Sequence, residues 1–360
     1  MKSKIFKIVE NIAAFLILNF AFLIPCVKAQ EPPPAPSAPR TVTIPAIQNS
    51  ELPNGLKVAV VERKNVPLVT VSLLLNYAGA DSEEKDGLAN TTASLLTKGT
   101  KNRTATQIAE EIEFLGGNIS ARANWNSTVV NINVTSDKLE QAIAIMSDVV
   151  LNPTFAPKEI ELFKTQTNDE LNVSLKQPGS LASFVASRYT FGEHNAVGTP
   201  ESLKSITQAD IKKFYRESYL ADDAVLIFAG DISSEKANAL AKKFFGTWKK
   251  PPPANGRDAS RKEIIQRIDK ATSTPINGIV SKILVIDLPN SGQAAVTYAK
   301  KLGAGRVSCN GNKCVTVETF YPSAVANTVL GGGYSARLNS EIRIKRGLSY
   351  GASSSLASRS

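Results

Sequence analysis

The sequence predicts an α+β fold built from two tandem homologous domains, the second incomplete. Three observations carry this. From residue 46 onward, short β-branched runs alternate with segments of helical periodicity. A Pro-rich break, Lys249-Lys-Pro-Pro-Pro-Ala-Asn-Gly256, interrupts the pattern. Beyond it the pattern starts again. Lys282 to Thr297 can be laid strand for strand on Lys57 to Ser72, and Val325-Ala-Asn-Thr-Val329 takes the place of Leu88-Ala-Asn-Thr-Thr92. The second copy is 12 residues longer between these landmarks, and Cys309 and Cys314 fall in the extra stretch. The expected divisions are a leader over 1–29, a linker over 30–45, a first domain over 46–250, a linker over 251–275 and a partial second domain over 276–360.

The leader has the form of a secretory signal. Lys2, Lys4 and Lys7 precede an apolar run from Ile12 to Ile24, and Val27-Lys28-Ala29 is a small-residue cleavage site. A run of that length is short for a membrane span, although retention as an anchor is the alternative. Export to a bacterial periplasm or cell envelope follows, with no membrane span once the leader is removed. The net charge is +10, and removing residues 1–29, which hold four lysines and one glutamate, leaves +7. No compact Lys/Arg block with interleaved aromatics is present, which argues against a nucleic-acid partner. Cys309 and Cys314 are the cysteines remaining after the leader, and in an exported chain this C-x4-C pair reads as a local disulfide closing a turn.

In chain order, Gln30 to Arg40 is Pro-rich and extended. Ser50 to Glu62 holds two short strand signals around Asn54-Gly55, a tight turn. Leu68 to Tyr77 is apolar and β-branched enough for a buried strand, and Ala78 to Ser82 is the loop into a helix over 87–97. Thr104 caps a helix running to Leu115, with Gly116-Gly117 as its stop. Asn118 to Ala123 and Ser127 to Val134 form an antiparallel pair, and Leu139 to Val149 a helix. Phe155 opens a long helix to about Val173. A single helix is expected over Leu203 to Tyr219, then a strand over Ala224 to Ala229 and a last helix over Lys236 to Phe245.

The stretch with most chemical meaning is Gly87-Leu-Ala-Asn90-Thr-Thr-Ala93-Ser94-Leu-Leu-Thr-Lys-Gly-Thr100. Two His four residues apart on a helix share a face, and a Glu beside them can serve as base to a zinc-bound water; the inverted order is H-x-x-E-H. This stretch resembles the active helix of the insulinase/pitrilysin (inverzincin) metallopeptidase family, with Asn90, Ala93 and Ser94 where His, Glu and His would stand. The order N-G-L-x-V, strand, G-A, then G-L-A helix is similar to that family's, as are the Gly116-Gly117 hairpin and the Tyr219 to Asp231 stretch. The resemblance places the third ligand position at Glu170, and Phe163 where a further acidic residue often stands. It also matches Tyr189-Thr-Phe-Gly-Glu-His194-Asn195 to an aromatic-x-x-x-His-Pro loop.

Leu330 to Asn339 and Arg343 to Tyr350 resemble the family's second-domain signature, which implies that Arg343 and Tyr350 bind substrate backbone. Related second domains run further, so this one is expected to be truncated. The chain has one histidine, His194, and a two-His zinc site cannot be built from it within one chain. The expectation is therefore a catalytically inactive family member with no zinc and no catalytic residues. It would bind peptides and pair with an active zinc peptidase subunit of the family, or with itself. Alternatives are a stand-alone envelope peptide-binding or structural protein, and an active zinc metalloendopeptidase.

Overall fold

The structure is a computed structural model, and it describes residues 45–191, 195–249, 283–300, 307–310, 313–316 and 320–356. The leader, most of the Pro-rich segment after it, His194 and the break at 250–275 lie outside the described residues.

A six-stranded sheet organises the first domain. Its strands are β1 (Gln48–Glu51), β2 (Lys57–Glu62), β3 (Leu68–Asn76), β4 (Asn118–Ala123), β5 (Ser127–Thr135) and β6 (Ala224–Gly230), in the order β1-β2-β6-β3-β5-β4. The β2–β6 pair is parallel, and all other neighbours in the sheet are antiparallel. The Asn54-Gly55 turn forms as the sequence indicates, with the Gly55 amide donating to the Leu52 carbonyl at 2.9 Å. Gly55 has φ +89°, and a Cβ there would meet the Asp222 Cβ at 2.9 Å, so the residue is required by both backbone and space. Asn54 is buried and donates to the carbonyls of Phe245 and Trp248 at 2.8 and 3.0 Å, fastening the first hairpin to the domain's last helix.

Alternation of side chains decides which face of the sheet is covered. Val58, Val60, Val69, Val71, Leu73, Leu75, Val130, Ile132, Leu226 and Phe228 are all buried on one face. Helices α1 (Leu88–Leu95), α2 (Ala105–Phe114), α3 (Leu139–Leu151), α4 (Pro157–Ser174), α5 (Pro178–Phe191), α6 (Pro200–Ser205), α7 (Gln208–Ser218) and α8 (Ser234–Phe245) accompany the sheet. Ile108, Ile112, Leu139, Ile143, Met146, Ile211, Phe214, Leu240 and Phe245 from these helices join one core with the strand residues. Each such aliphatic or aromatic side chain contributes roughly 1.5–3 kcal/mol by leaving water.

Two expectations are corrected. Leu203 to Tyr219 is two helices, α6 and α7, because Ile206 is extended (φ −69°, ψ 126°) and Thr207 starts a new helix. The Thr207 hydroxyl accepts from the Asp210 amide while the Asp210 carboxylate accepts from the Thr207 amide, a capping box that restarts the helix within one turn of the previous stop. Secondly, the described stretch 283–300 contains no strand, and Ile283, Val285 and Val296 are 91%, 85% and 98% exposed. A strand needs a hydrogen-bonded neighbour, and no described strand lies beside this one.

The duplicated helix does form, as α9 (Phe320–Gly331), which contains Val325 to Val329. It is followed by the short α10 (Arg337–Asn339) and a π-helical turn over Ser340–Ile344. Strands β7 (Val307–Asn310) and β8 (Lys313–Thr316) form a separate antiparallel pair with Cys309 opposite Cys314. Among the described residues no helix is long and apolar enough to cross a membrane.

Candidate functional site

Helix α1 lies at the β4 edge of the sheet, against α7 and α4. Its start is held by a carboxylate that the sequence reading missed. Glu83 is buried, and it accepts hydrogen bonds from the Gly87 amide (Oε1, 2.9 Å) and the Ala89 amide (Oε2, 2.6 Å). Those are amides a helix leaves unpaired at its N-terminus, where the dipole also favours negative charge. An acidic residue a few positions before a glycine-started helix is the signal that could have identified it. Gly87 itself has φ +85°, and a Cβ there would lie 2.9 Å from the Gly198 Cα, so glycine lets the loop after residue 194 press on the helix start. The Asn195 amide in that loop donates to Asp86 Oδ2 at 3.0 Å.

The loop before α1 is fixed from a second side. Lys85 Nζ reaches Asp210 Oδ2 at 2.7 Å and the Ser205 carbonyl at 3.0 Å, tying it to the α6–α7 junction. Burial works against the ionised form of Asp210. The Lys85 ammonium and the Thr207 hydroxyl and amide outweigh it and hold the carboxyl down to about 2.

Beyond α1, Asp148 on α3 is buried and gathers Thr100 Oγ1 at 2.7 Å, Asn102 Nδ2 at 2.6 Å, Arg103 Nη1 at 2.8 Å and Asn152 Nδ2 at 3.0 Å. Burial alone would raise its carboxyl, and these hydrogen bonds instead keep it below the ordinary range. The Gly99-Thr100 end of the motif is thus anchored to the core.

Along α1, Asn90 and Ser94 are half-buried and share a face, while Ala93 is fully buried. The hydroxyls of Thr91 and Thr92 are fully buried and donate back to the carbonyls of Gly87 and Leu88 at 2.7 and 2.8 Å. They are occupied in helix hydrogen bonds and not poised as nucleophiles. Helix α4 packs on α1, so the helices carrying Asn90, Ser94 and Glu170 are neighbours. On α4, however, Thr167 and Leu171 are buried and Glu170 is exposed. Phe163 is partly buried against the core.

Zinc takes imidazole, thiolate or carboxylate donors, usually four in a structural site and three plus water in a catalytic one. Here the helix face offers an amide, a methyl group and a hydroxyl. Among the described residues, no group of three or more His, Cys, Asp or Glu is placed to hold a metal ion. The donor set does not fit zinc, and no step through a metal follows from it.

The second-domain residues form their own cluster. Arg343 lies in the π-helical turn, which packs on α10, and its guanidinium carbon sits 5.2 Å from the centre of the Tyr334 ring. Tyr350 is 90% exposed. Asn339, which the sequence did not single out, is buried; it donates to the Tyr334 carbonyl at 2.6 Å and accepts from the Ala352 amide at 3.4 Å. It sets the spacing between the chain carrying Tyr334 and the chain just after Tyr350.

Residues 57–195 match the family model described as insulinase (peptidase family M16), and residues 205–360 match that described as the peptidase M16 inactive domain. The second match begins inside the first sheet's own sequence, since β6 lies between β2 and β3. An uncharacterized zinc protease of Mycobacterium leprae is 28% identical over 313 residues, covering 85% of this chain and 64% of its own length. The mitochondrial-processing peptidase subunit beta of Blastocladiella emersonii is 26% identical over 221 residues, 60% of this chain and 47% of that protein. This chain therefore spans about half to two thirds of these curated relatives. A solved peptidase M16 inactive domain from Pseudomonas fluorescens superposes with a TM-score of 0.63 at 23% identity, covering 85% of this chain and 69% of that one, which shows the fold.

Proposed function

This chain belongs to the insulinase (peptidase M16) family, and on that premise we propose that it is a non-catalytic member that binds peptides and pairs with a zinc-bearing peptidase subunit of the same family. The observation that carries this reading is the face of α1, where Asn90 and Ser94 stand half-buried around a fully buried Ala93. The helix keeps its cap, its packing and its place at the sheet edge, while its side chains supply neither metal ligands nor a base.

Peptide binding is supported by the second-domain cluster. Arg343 can place two parallel donors on a carbonyl or carboxylate, and the exposed Tyr350 hydroxyl can donate to a peptide oxygen. Pairing is supported by the relative from Blastocladiella, whose name is that of a subunit. The leader-like residues 1–29 support export to a bacterial periplasm or envelope as the setting.

The test is purification of the native full chain from its own cells, followed by identification of what comes with it. The expected result is co-recovery of a family member carrying an intact H-x-x-E-H helix. Peptide cleavage by the pair should be abolished by chelator and unchanged by Glu170→Gln in this chain. Recovery of the chain alone or as a homodimer, or cleavage by the isolated chain that disappears with Glu170→Gln, would overturn the reading.

A further inference from the structure

We infer from the register of β7 and β8 that Cys309 and Cys314 form an intramolecular disulfide that clasps this hairpin. The inference stands apart from the proposed function.

The pairing runs Val307 with Thr316, Ser308 with Val315, Cys309 with Cys314 and Asn310 with Lys313. Cys309 and Cys314 stand directly opposite each other in this register. Directly opposed residues of an antiparallel pair share one face of the ladder, with Cα atoms about 4.5–5.5 Å apart. A disulfide spans Cα separations of about 4.4–6.8 Å, a range that includes the spacing of directly opposed residues, so this register permits the bond. A slip by one residue would set each cysteine against a different partner and put the two on opposite faces.

A clasp would also stabilise the hairpin. The described residues give β7 and β8 only each other as neighbours, and an isolated two-stranded hairpin is marginal in water. Covalent closure restricts the open alternatives to the paired register. Formation follows thiol–disulfide exchange. One cysteine thiolate attacks the disulfide of an oxidised dithiol protein and expels one donor thiolate. The second cysteine thiolate then attacks the mixed disulfide, forming the Cys309–Cys314 bond and releasing the donor as a dithiol. The two cysteines are oxidised by two electrons, the donor disulfide is reduced by two, and the protons lost by the cysteines end on the donor.

The sequence supplies a direct readout. Trypsin cuts after Arg306, Lys313 and Arg337, so it places Cys309 on the fragment 307–313 and Cys314 on 314–337. The full chain, produced with export into an oxidising compartment, is alkylated without reduction and digested. The expected result is that these two fragments travel as one species two hydrogen masses lighter than their sum, and separate on reduction. The Cys309→Ser and Cys314→Ser variants should each lose that species and leave the remaining thiol open to alkylation. Alkylation of both cysteines in the unreduced chain, linkage of either one to Cys26, or a linked dimer of chains would overturn the inference.

Discussion

At the scale of single residues, the site is defined by what surrounds the substituted positions. Ala93 has no exposure, so a carboxylate placed there would be buried without a metal to receive it. Ala93→Glu is expected to destabilise the protein by about 3 kcal/mol or more, read as a lower urea midpoint. Asn90→His and Ser94→His lie on the half-buried face and should each shift stability by less than about 1 kcal/mol. Equal effects from all three would show that Ala93 is not the constrained member. Glu83 gives the opposite lesson. Removing its side chain in Glu83→Ala leaves the Gly87 and Ala89 amides without their acceptor. A loss of about 2 kcal/mol is expected, in the upper range for lost helix caps; a thermal midpoint equal to the parent's would refute that role. The replaced positions were legible because they break a motif. Glu83 and Asn339 were not, because a buried polar residue shows its value only through the backbone groups it satisfies.

At the scale of elements, most strands and helices were legible from periodicity and caps. Strand β3, the β4–β5 hairpin and the Thr104 cap of α2 all form where β-branched runs or a Thr at a helix start indicated them. The failures have physical causes. The α6–α7 break was hidden because Thr207 sits within an otherwise helical spacing, and only its reciprocal bonds with Asp210 mark it as a new start. Helix α5 was missed because none of its described side chains is fully buried, so it lacks an apolar stripe to give it a period. The Asp210 junction has a pH signature. Its folded-state pKa of about 2 lies below the ordinary carboxylate value near ~3.9. The ion pair with Lys85 therefore stabilises fully above pH ~4 and is lost as pH falls towards 2. Both partners are partly exposed, so the contribution is on the order of 1 kcal/mol or less. Urea midpoints of the parent and of Asp210→Asn should differ at pH 6, draw together as the pH falls from about 4 through about 2, and converge below that. A difference that persists at the acidic end would mean that the capping geometry, and not the charge, is what matters.

At the scale of the whole molecule, composition places a division near residue 250, outside the described residues, and the strands expected of the second copy do not form over 283–300. Lys57 to Ser72 and Lys282 to Thr297 carry similar patterns, yet among the described residues only the first forms strands, paired with β1, β5 and β6. A sequence pattern states which residues can pair and leaves unstated whether a neighbour is present. The distribution of burial gives this a thermodynamic consequence. The described buried apolar residues from Leu52 to Trp248 lie in the first sheet, its helices and the connections between them, while beyond residue 283 the described buried residues are Gly331, Ala336 and Asn339. The Asn54 bonds to Phe245 and Trp248 close that first unit on itself. A fragment of residues 46–250 is therefore expected to fold alone, with a single cooperative urea transition whose midpoint matches the main transition of the full chain. Denaturation of both proteins, followed by far-ultraviolet circular dichroism and tryptophan fluorescence from Trp125 and Trp248, would test it. A fragment that is unfolded, or that unfolds at markedly lower urea, would show that the second-domain segment stabilises the sheet and would place the domain boundary elsewhere.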